Sequence, residues 1–398
     1  MTTSRMRLVA CACLASLTTA CRSSTPPEAL TAEVRDTPVR CGGCKITLDS
    51  IAIIKANDSV DILPNSRVAY LKDAHLFAVG PIGDQGRVAL YRENGEFVRL
   101  MLRKGDGPSE VRSVNTLVPL SGDSLLVVSD AMKAVRISTS STSGIDATLP
   151  TVTLNAMLYV GNGRVAMNAL SATMPNIVLL DTAMNSVASF GVNLASIRMD
   201  SVAPDLDRLQ LRLALSPDGT LWTSTQRYEL QLRQWSLDGR LLWASERVGA
   251  WFPPYTLKDR PIGLLPSQAR LLPTVSGLFV DSLRQLWLVG MVADSNWSQG
   301  DSVVPGKMML TMTPGGRLVV PYRDWDKYLD GIVEVIDPKS HTIVARHRFP
   351  FALTQVFGSG VVGRSVTQPS GEIEFHVYRL RLISPGPMVQ NGTGEIRQ

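Results

Sequence analysis

Residues 213–245 read LALSPDGTLWTSTQRYELQLRQWSLDGRLLWAS. Two Asp-Gly pairs, Asp218-Gly219 and Asp238-Gly239, stand 20 residues apart in this stretch. Each supplies the positive-φ positions of a tight hairpin turn. Between them lie two strand-like runs, TLWTST and ELQLRQWS, and further apolar runs flank the pair. The spacing predicts four antiparallel strands in about 40 residues, the length of one blade of a β-propeller.

Weaker copies of the unit recur on both sides. Residues 66–102 hold AHLFAVG, RVALY, Asn94-Gly95 and EFVRLML; residues 114–150 hold TLVPL, SLLVVSD and AVRIS. Residues 154–192 hold AMLYVGNGRVAMN, NIVLLD and SVASFG, and residues 354–383 hold QVFGSGVVGRSV and IEFHVYRLRLI. Residues 275–350 begin with SGLFVDSLRQLWLVG, make a long excursion and end with GIVEVIDPKSHTIVARHRF. GLFVDSLRQLWLVG matches LALSPDGTLWTS in placing an apolar strand, an Asp-centred turn and then Leu-Trp. A single four-stranded sheet has no partner for its two apolar faces; six arranged radially bury one another's. The expected fold is therefore all-β, a six-bladed propeller over residues 41–385, with the strand near 46–54 completing the last blade. A β-sandwich or two smaller β domains is the competing arrangement, and the stretch 251–275 has room for another sheet.

The chain has 398 residues, 44% apolar and 19% charged, which excludes a mainly disordered protein. Four histidines are few for a multi-histidine metal enzyme. The net charge is +5, of which Arg5 and Arg7 supply two. There is no Lys/Arg stripe and no aromatic-basic motif, so no nucleic-acid partner is expected.

Residues 1–20 carry a short basic start, the apolar run LVACACLASL and small residues before Cys21. That run is too short to span a bilayer and reads as a targeting signal. The segment resembles a bacterial lipoprotein lipobox, departing from it at Thr18 where Leu is usual. The resemblance implies lipidation of Cys21, anchoring in the bilayer and, because Arg22 rather than Asp follows, the outer membrane. Plain secretion or a periplasmic protein is the alternative. Residues 21–40 are polar and Pro-rich and read as a flexible tether; residues 386–398 read as a disordered tail. Cys41-Gly42-Gly43-Cys44 is expected to form a local disulfide in an oxidising compartment. A zinc site needs two more ligands at suitable spacing, and a thioredoxin-type motif precedes a helix, whereas ITLDSIAII follows this one.

The signal, the CxxC before the first strand and Arg103-Lys104-Gly105-Asp106-Gly107-Pro108-Ser109-Glu110 together resemble bacterial six-bladed β-propeller lipoproteins related to NHL-repeat proteins. Ser109 stands where that family commonly has Gly. The resemblance implies the fold and little about activity, because one fold hosts many functions.

Arg103 and Glu110 have two readings: they line the channel mouth as ligand contacts, or they pin an inter-blade loop. His75, His341, His347 and His376 read as strand or packing residues. The excursion 291–330 carries Trp297, Tyr322 and Trp325 beside Asp294, Asp301, Asp324 and Asp326. Aromatic rings with carboxylates suit a glycan, a peptide or a protein partner, and long loops on rigid scaffolds carry function. Asp324 and Asp326 would share one face of a strand, a spacing that permits Ca2+; no cofactor is otherwise expected. The leading expectation is an envelope scaffold that binds a protein, peptide or glycan. The rival is a propeller hydrolase or lyase, lactonase-like, with a divalent metal in the central channel.

Overall fold

The computed structural model describes residues 39–384, apart from 65, 82–85, 130–131, 142–143, 172, 194–208, 248, 254–270, 297–310, 313–317 and 320–327. The signal segment, Cys21, most of the tether and the C-terminal tail lie outside the described residues.

The chain is all-β, with six four-stranded antiparallel blades in a ring. Its first strand, β1 (Lys45–Lys55), belongs to the last blade. Blade 1 follows as β2 (Arg67–Leu71), β3 (Leu76–Gly80), β4 (Val88–Arg92) and β5 (Phe97–Lys104), with β6 (Glu110–Val111) added in parallel at its edge. Blade 2 comprises β7 (Thr116–Pro119), β8 (Ser124–Val128), β9 (Lys133–Ser138) and β10 (Gly144–Thr148). Blade 3 comprises β11 (Val152–Gly161), β12 (Arg164–Leu170), β13 (Pro175–Leu180) and β14 (Ser186–Asn193). Blade 4, the quoted stretch, comprises β15 (Leu211–Leu215), β16 (Leu221–Thr225), β17 (Leu230–Trp235) and β18 (Leu241–Arg247). Blade 5 opens with β19 (Thr274–Val280) and β20 (Leu286–Ala293). It is interrupted by the small hairpin β21 (Thr311–Met312) and β22 (Leu318–Val319), and resumes with β23 (Leu329–Asp337) and β24 (Thr342–Phe349). Blade 6 comprises β25 (Gln355–Gly358), β26 (Val361–Thr367) and β27 (Ile373–Ile383), with β1 outermost.

The innermost strands β2, β7, β11, β15, β19 and β25 each touch the next, and β25 touches β2, so the ring is closed. Two devices lock it. β1 pairs antiparallel with β27 from Lys45↔Ile383 to Lys55↔Glu374, so both ends of the fold share one sheet. On the axis, Gln355 accepts from Val68 N at 3.2 Å and donates to Ser66 O at 2.7 Å, clamping blade 6 to blade 1.

The core follows from the period-two alternation of the strands. Phe77 and Val79 of β3 pack toward blade 6, while Ala78 between them packs toward blade 2. Leu288 of β20 faces blade 4, and its neighbours Trp287 and Val289 face blade 6. The described core divides into six clusters, one between each pair of adjacent blades. Each buried Leu or Val contributes about 1.5–3 kcal/mol. The cohesion is therefore spread around the ring rather than concentrated in one nucleus.

One local expectation needs correction. The Asp-Gly pairs do not make turns with two positive-φ residues; only the glycines are left-handed, Gly219 at φ 81° and Gly239 at φ 91°. Gly219 N donates to Ser216 O at 2.9 Å and Ser216 N to Thr220 O at 2.8 Å, with Ser236, Gly239 and Arg240 repeating the pattern. This is a longer turn closed by a left-handed residue, in which Asp precedes the strained position instead of occupying it.

Candidate functional site

All six innermost strands run the same way along the channel. Their first residues surround one mouth, on the face hereafter called the entry face, and their last residues surround the other, on the exit face. The entry mouth encloses about 180 Å³ and is ringed by Arg67, Thr116, Ala156, Arg212, Ser276 and Gln355. The adjoining section toward the exit face encloses about 310 Å³; Val68, Leu117, Met157, Leu213, Leu278 and Val356 border both sections, and each also packs in or against one of the clusters between blades. The entry mouth thus gathers two arginines with hydroxyl and amide side chains among its described residues.

The two arginines are held by their neighbours. Arg67 donates its Nε to Asn115 O at 2.8 Å, just before β7, and Arg212 donates its Nε to Val275 O at 3.3 Å, within β19; each acceptor belongs to the adjacent blade. Burial pushes the Arg212 guanidinium down to about 10, and the positive charges of Arg67 and Arg227 push the same way. Ser276 is only 6% exposed, and its hydroxyl has no hydrogen-bond partner among the described residues. Leaving such a hydroxyl unpaired costs about 1–3 kcal/mol. No histidine, aspartate or glutamate stands among the described residues lining either section.

The octapeptide lies on the entry face but at its rim, because it follows the outermost strand of blade 1. Arg103 and Glu110 are register partners on β5 and β6, and neither lines the channel. The Glu110 carboxylate accepts from Gly107 N at 2.9 Å, and a Cβ at Gly105 or Gly107 would collide with it, which explains both glycines. Lys133 Nζ donates to Gly107 O and Glu110 O, each at 2.8 Å, and Ser109 N donates to Asp146 Oδ1 at 3.0 Å. Ser109 takes φ 60°, a left-handed position for which Gly is the unstrained choice. The segment fastens blade 1 to blade 2.

The histidines are dispersed. His75 meets Glu93 at 3.1 Å, His341 accepts from Trp243 Nε1 at 2.8 Å, His347 packs on Phe349, and His376 lies 3.0 Å from Glu374. No group of three or more potential metal ligands occurs among the described residues. Trp297, Tyr322, Trp325, Asp324 and Asp326 lie outside the described residues. The roots of their excursion do not: Ala293 and Leu329 face each other, in the same sheet whose Thr274 pairs with Met291. The excursion therefore leaves and rejoins blade 5 on the entry face. Its base is pinned by Arg348 Nε to Asp330 Oδ2 at 2.6 Å, Ser295 N to the same oxygen at 3.2 Å, and Asp294 N to Tyr328 O at 2.8 Å.

The Cys41–Cys44 disulfide is formed, with Cα atoms 5.3 Å apart. It sits where β1 begins, on the exit face, and Arg40 N donates to Ile343 O at 2.8 Å, so the staple also reaches blade 5.

Fold and channel together define the chain as a six-bladed β-propeller with one cationic mouth. Among solved structures it is similar to one described as "Putative exported protein" from Bacteroides fragilis, at 10% identity and TM-score 0.54, covering 87% of this chain and 98% of that one. A protein of unknown function from Bacteroides thetaiotaomicron is similar at 10% identity and TM-score 0.44, over 85% of this chain and 76% of that one. At 10% identity the likeness to the first of these shows the fold alone. No family model and no curated protein matches the sequence.

Proposed function

We propose that this chain is an exported, lipid-anchored propeller that acts as a binding scaffold and presents its entry face to an envelope protein, peptide or glycan. The observation that carries this reading is the cationic entry mouth. Arg67 and Arg212 repel a divalent cation, and their ring offers no carboxylate or imidazole among its described members to act as ligand or base. A lactonase-like site needs both. A guanidinium pair beside hydroxyls suits recognition by charge and hydrogen bonds instead. The pinned root of the aromatic excursion on the same face supports it, since Trp297, Tyr322 and Trp325 belong to that excursion.

Export and anchoring rest on the lipobox-like segment ending at Cys21. Metabolic labelling with a palmitate analogue tests them: wild type incorporates label and Cys21→Ala does not. Binding is tested by capture from envelope extract and by glycan and peptide arrays, with Trp325→Ala in parallel. Wild type retains a partner and the variant loses most of it. A wild type that captures nothing, or a stoichiometric divalent metal in the purified protein with activity against lactones, overturns the reading.

A further inference from the structure

Away from the channel, a cavity of about 220 Å³ opens on the entry face between blades 3 and 4. It is bordered by Val192 near the end of β14, by Leu209 and Leu211 where blade 4 begins, and by the turn from Arg227 to Glu229 between β16 and β17. The two blades are fastened together beside it. Asn168 is fully buried; its Nδ2 donates to Asn176 O and Leu209 O, each at 3.0 Å, and its Oδ1 accepts from Leu211 N at 2.9 Å. Asn176 borders the cavity and is only 4% exposed. Its Oδ1 accepts from Val192 N at 2.9 Å, and Gly191, at φ 100°, leaves room for that oxygen where a Cβ would collide with it. This fixes the amide's orientation and leaves its Nδ2 a donor with no hydrogen-bond partner among the described residues. Arg233 of β17 also lines the cavity. One of its terminal nitrogens donates to Gln231 Oε1 at 2.8 Å, and the charge of Glu246 favours its charged form. A guanidinium has five N–H donors, so others remain for a ligand. Glu229, exposed at the rim, accepts from Gln231 Nε2 at 3.1 Å through one carboxylate oxygen, which leaves the second as an acceptor. Most of the surface the cavity exposes is apolar.

Amide and guanidinium donors thus stand with a carboxylate acceptor around a largely apolar hollow. A hydroxyl both donates and accepts, so adjacent hydroxyls on a carbon ring meet all three groups while the ring's C–H faces cover the apolar surface. A peptide strand instead needs a row of main-chain partners along a sheet edge, whereas the free polar groups here are side chains. The cavity is smaller than the about 300–1,000 Å³ that holds a drug-sized ligand, so it takes one small unit of a longer molecule. We propose that the cavity between blades 3 and 4 binds one sugar residue of a glycan, with a hydroxyl oxygen accepting from Asn176 Nδ2 and a neighbouring hydroxyl held by Arg233 and Glu229. This rests on the binding reading above and narrows it to a ligand class and a site.

Titration calorimetry on the purified protein tests the proposal with the methyl glycosides of glucose, galactose, mannose and N-acetylglucosamine, and with cyclohexanol as a ring of similar size bearing a single hydroxyl. At least one glycoside binds with one-to-one stoichiometry, and cyclohexanol binds at least about tenfold more weakly. Asn176→Asp keeps the acceptor for Val192 N and replaces the free donor by an oxygen, and it weakens that glycoside by about fivefold or more. Arg233→Met, which keeps an unbranched apolar stem, weakens it by about tenfold or more. Glu229→Ala removes an exposed side chain, so the fold survives it, and it weakens binding by about fivefold or more. Binding of none of the four glycosides, equal binding of cyclohexanol, or an affinity unchanged in all three variants overturns the proposal. If envelope capture succeeds while no glycoside binds, the scaffold reading stands and this one falls.

Discussion

The most informative single perturbation is Glu334→Gln. Glu334 lies on β23, and Arg247 closes β18 of the preceding blade; both side chains are 0% exposed. Arg247 donates both terminal nitrogens to the two Glu334 carboxylate oxygens, one of them at 2.6 Å. Arg346 Nε adds a bond to Glu334 Oε1 at 2.6 Å, but that side chain is 25% exposed and can turn to water. The substitution keeps the shape, removes the charge and replaces one accepting oxygen by an NH2 group that faces the guanidinium donors. Arg247 stays buried and loses the charge of Glu334, and breaking such a buried pair costs about 3–5 kcal/mol. The partial recovery available to Arg346 places the expected loss toward the lower end. Replacing the pair together, Arg247→Met with Glu334→Leu, removes the uncompensated charge and restores stability to within about 1 kcal/mol of wild type or above it. Urea unfolding followed by tryptophan fluorescence measures both, since Trp243 is buried in the cluster between the same two blades and urea, unlike guanidinium chloride, does not screen charge. A loss below about 0.5 kcal/mol for Glu334→Gln, the range of surface substitutions, would refute the buried pair as a lock between blades 4 and 5.

Other expectations concern ring closure. Cys41→Ser with Cys44→Ser opens a very short loop, so thermal unfolding shows a loss of no more than about 2 kcal/mol; a larger loss shows that the staple holds β1 as well as its own turn. Gly95→Ala forces a side chain at φ 90° and a Cβ into the Ile53 carbonyl oxygen, and denaturant unfolding should register a loss above about 1 kcal/mol. Lys55 on β1 meets Glu374 on β27 at 2.9 Å, and the hydrogen bonds from Lys55 and then His376 hold the Glu374 carboxyl below its usual 4.5. A depressed carboxylate contributes stability that is full above the unfolded value and is lost as pH falls through the folded one. The protection factors of β1 amides, taken against each amide's intrinsic exchange rate at the same pH, should therefore fall below about pH 4.5 in wild type, and Glu374→Gln should flatten that dependence.

The fold was legible because it repeats. Apolar alternation shows that both faces of every sheet are covered, and the Leu-Trp step shared by 213–224 and 277–290 marks the same second strand in two blades. Trp222 and Trp287 occupy β16 and β20 and are both buried. Half of the turn chemistry was hidden, because the left-handed residue is not always glycine. Met184 takes φ 64° and Arg284 φ 63°. There the turn is held by the aspartate that opens it: Asp181 Oδ1 accepts from Ala183 N and Asn185 N, and Asp281 Oδ1 accepts from Leu283 N and Gln285 N. The mouth was not legible, for a reason of geometry. Arg67, Arg212 and Ser276 are remote in sequence, and only the ring brings these early residues of the inner strands together. A trace existed in the repeat register, where Arg67-Val68-Ala69 and Arg212-Leu213-Ala214 open equivalent strands. The octapeptide drew attention because its residues are contiguous, and contiguity is what a local fastening needs.

The way the ring closes also fixes which face looks where. β1 is outermost in blade 6 and antiparallel to β27, so it runs from the exit face to the entry face before the chain turns inward to Arg67. Whatever precedes Cys41 must therefore join the propeller on the exit face, against Ile343 and Val344 of blade 5. If Cys21 carries a lipid, as proposed above, attachment on the exit face predicts that the arginine mouth and the root of the aromatic excursion face away from the bilayer. Single-cysteine labels measure this in reconstituted vesicles carrying an acceptor lipid. Ser370→Cys lies in the turn between β26 and β27 on the entry face, and Asp238→Cys lies in the turn between β17 and β18 on the exit face; both positions are exposed. Energy transfer to the lipid should be stronger from position 238 than from position 370. The opposite order would mean that the tether folds back around the ring, and a site built at the entry mouth would then be pressed against the membrane instead of open to ligands.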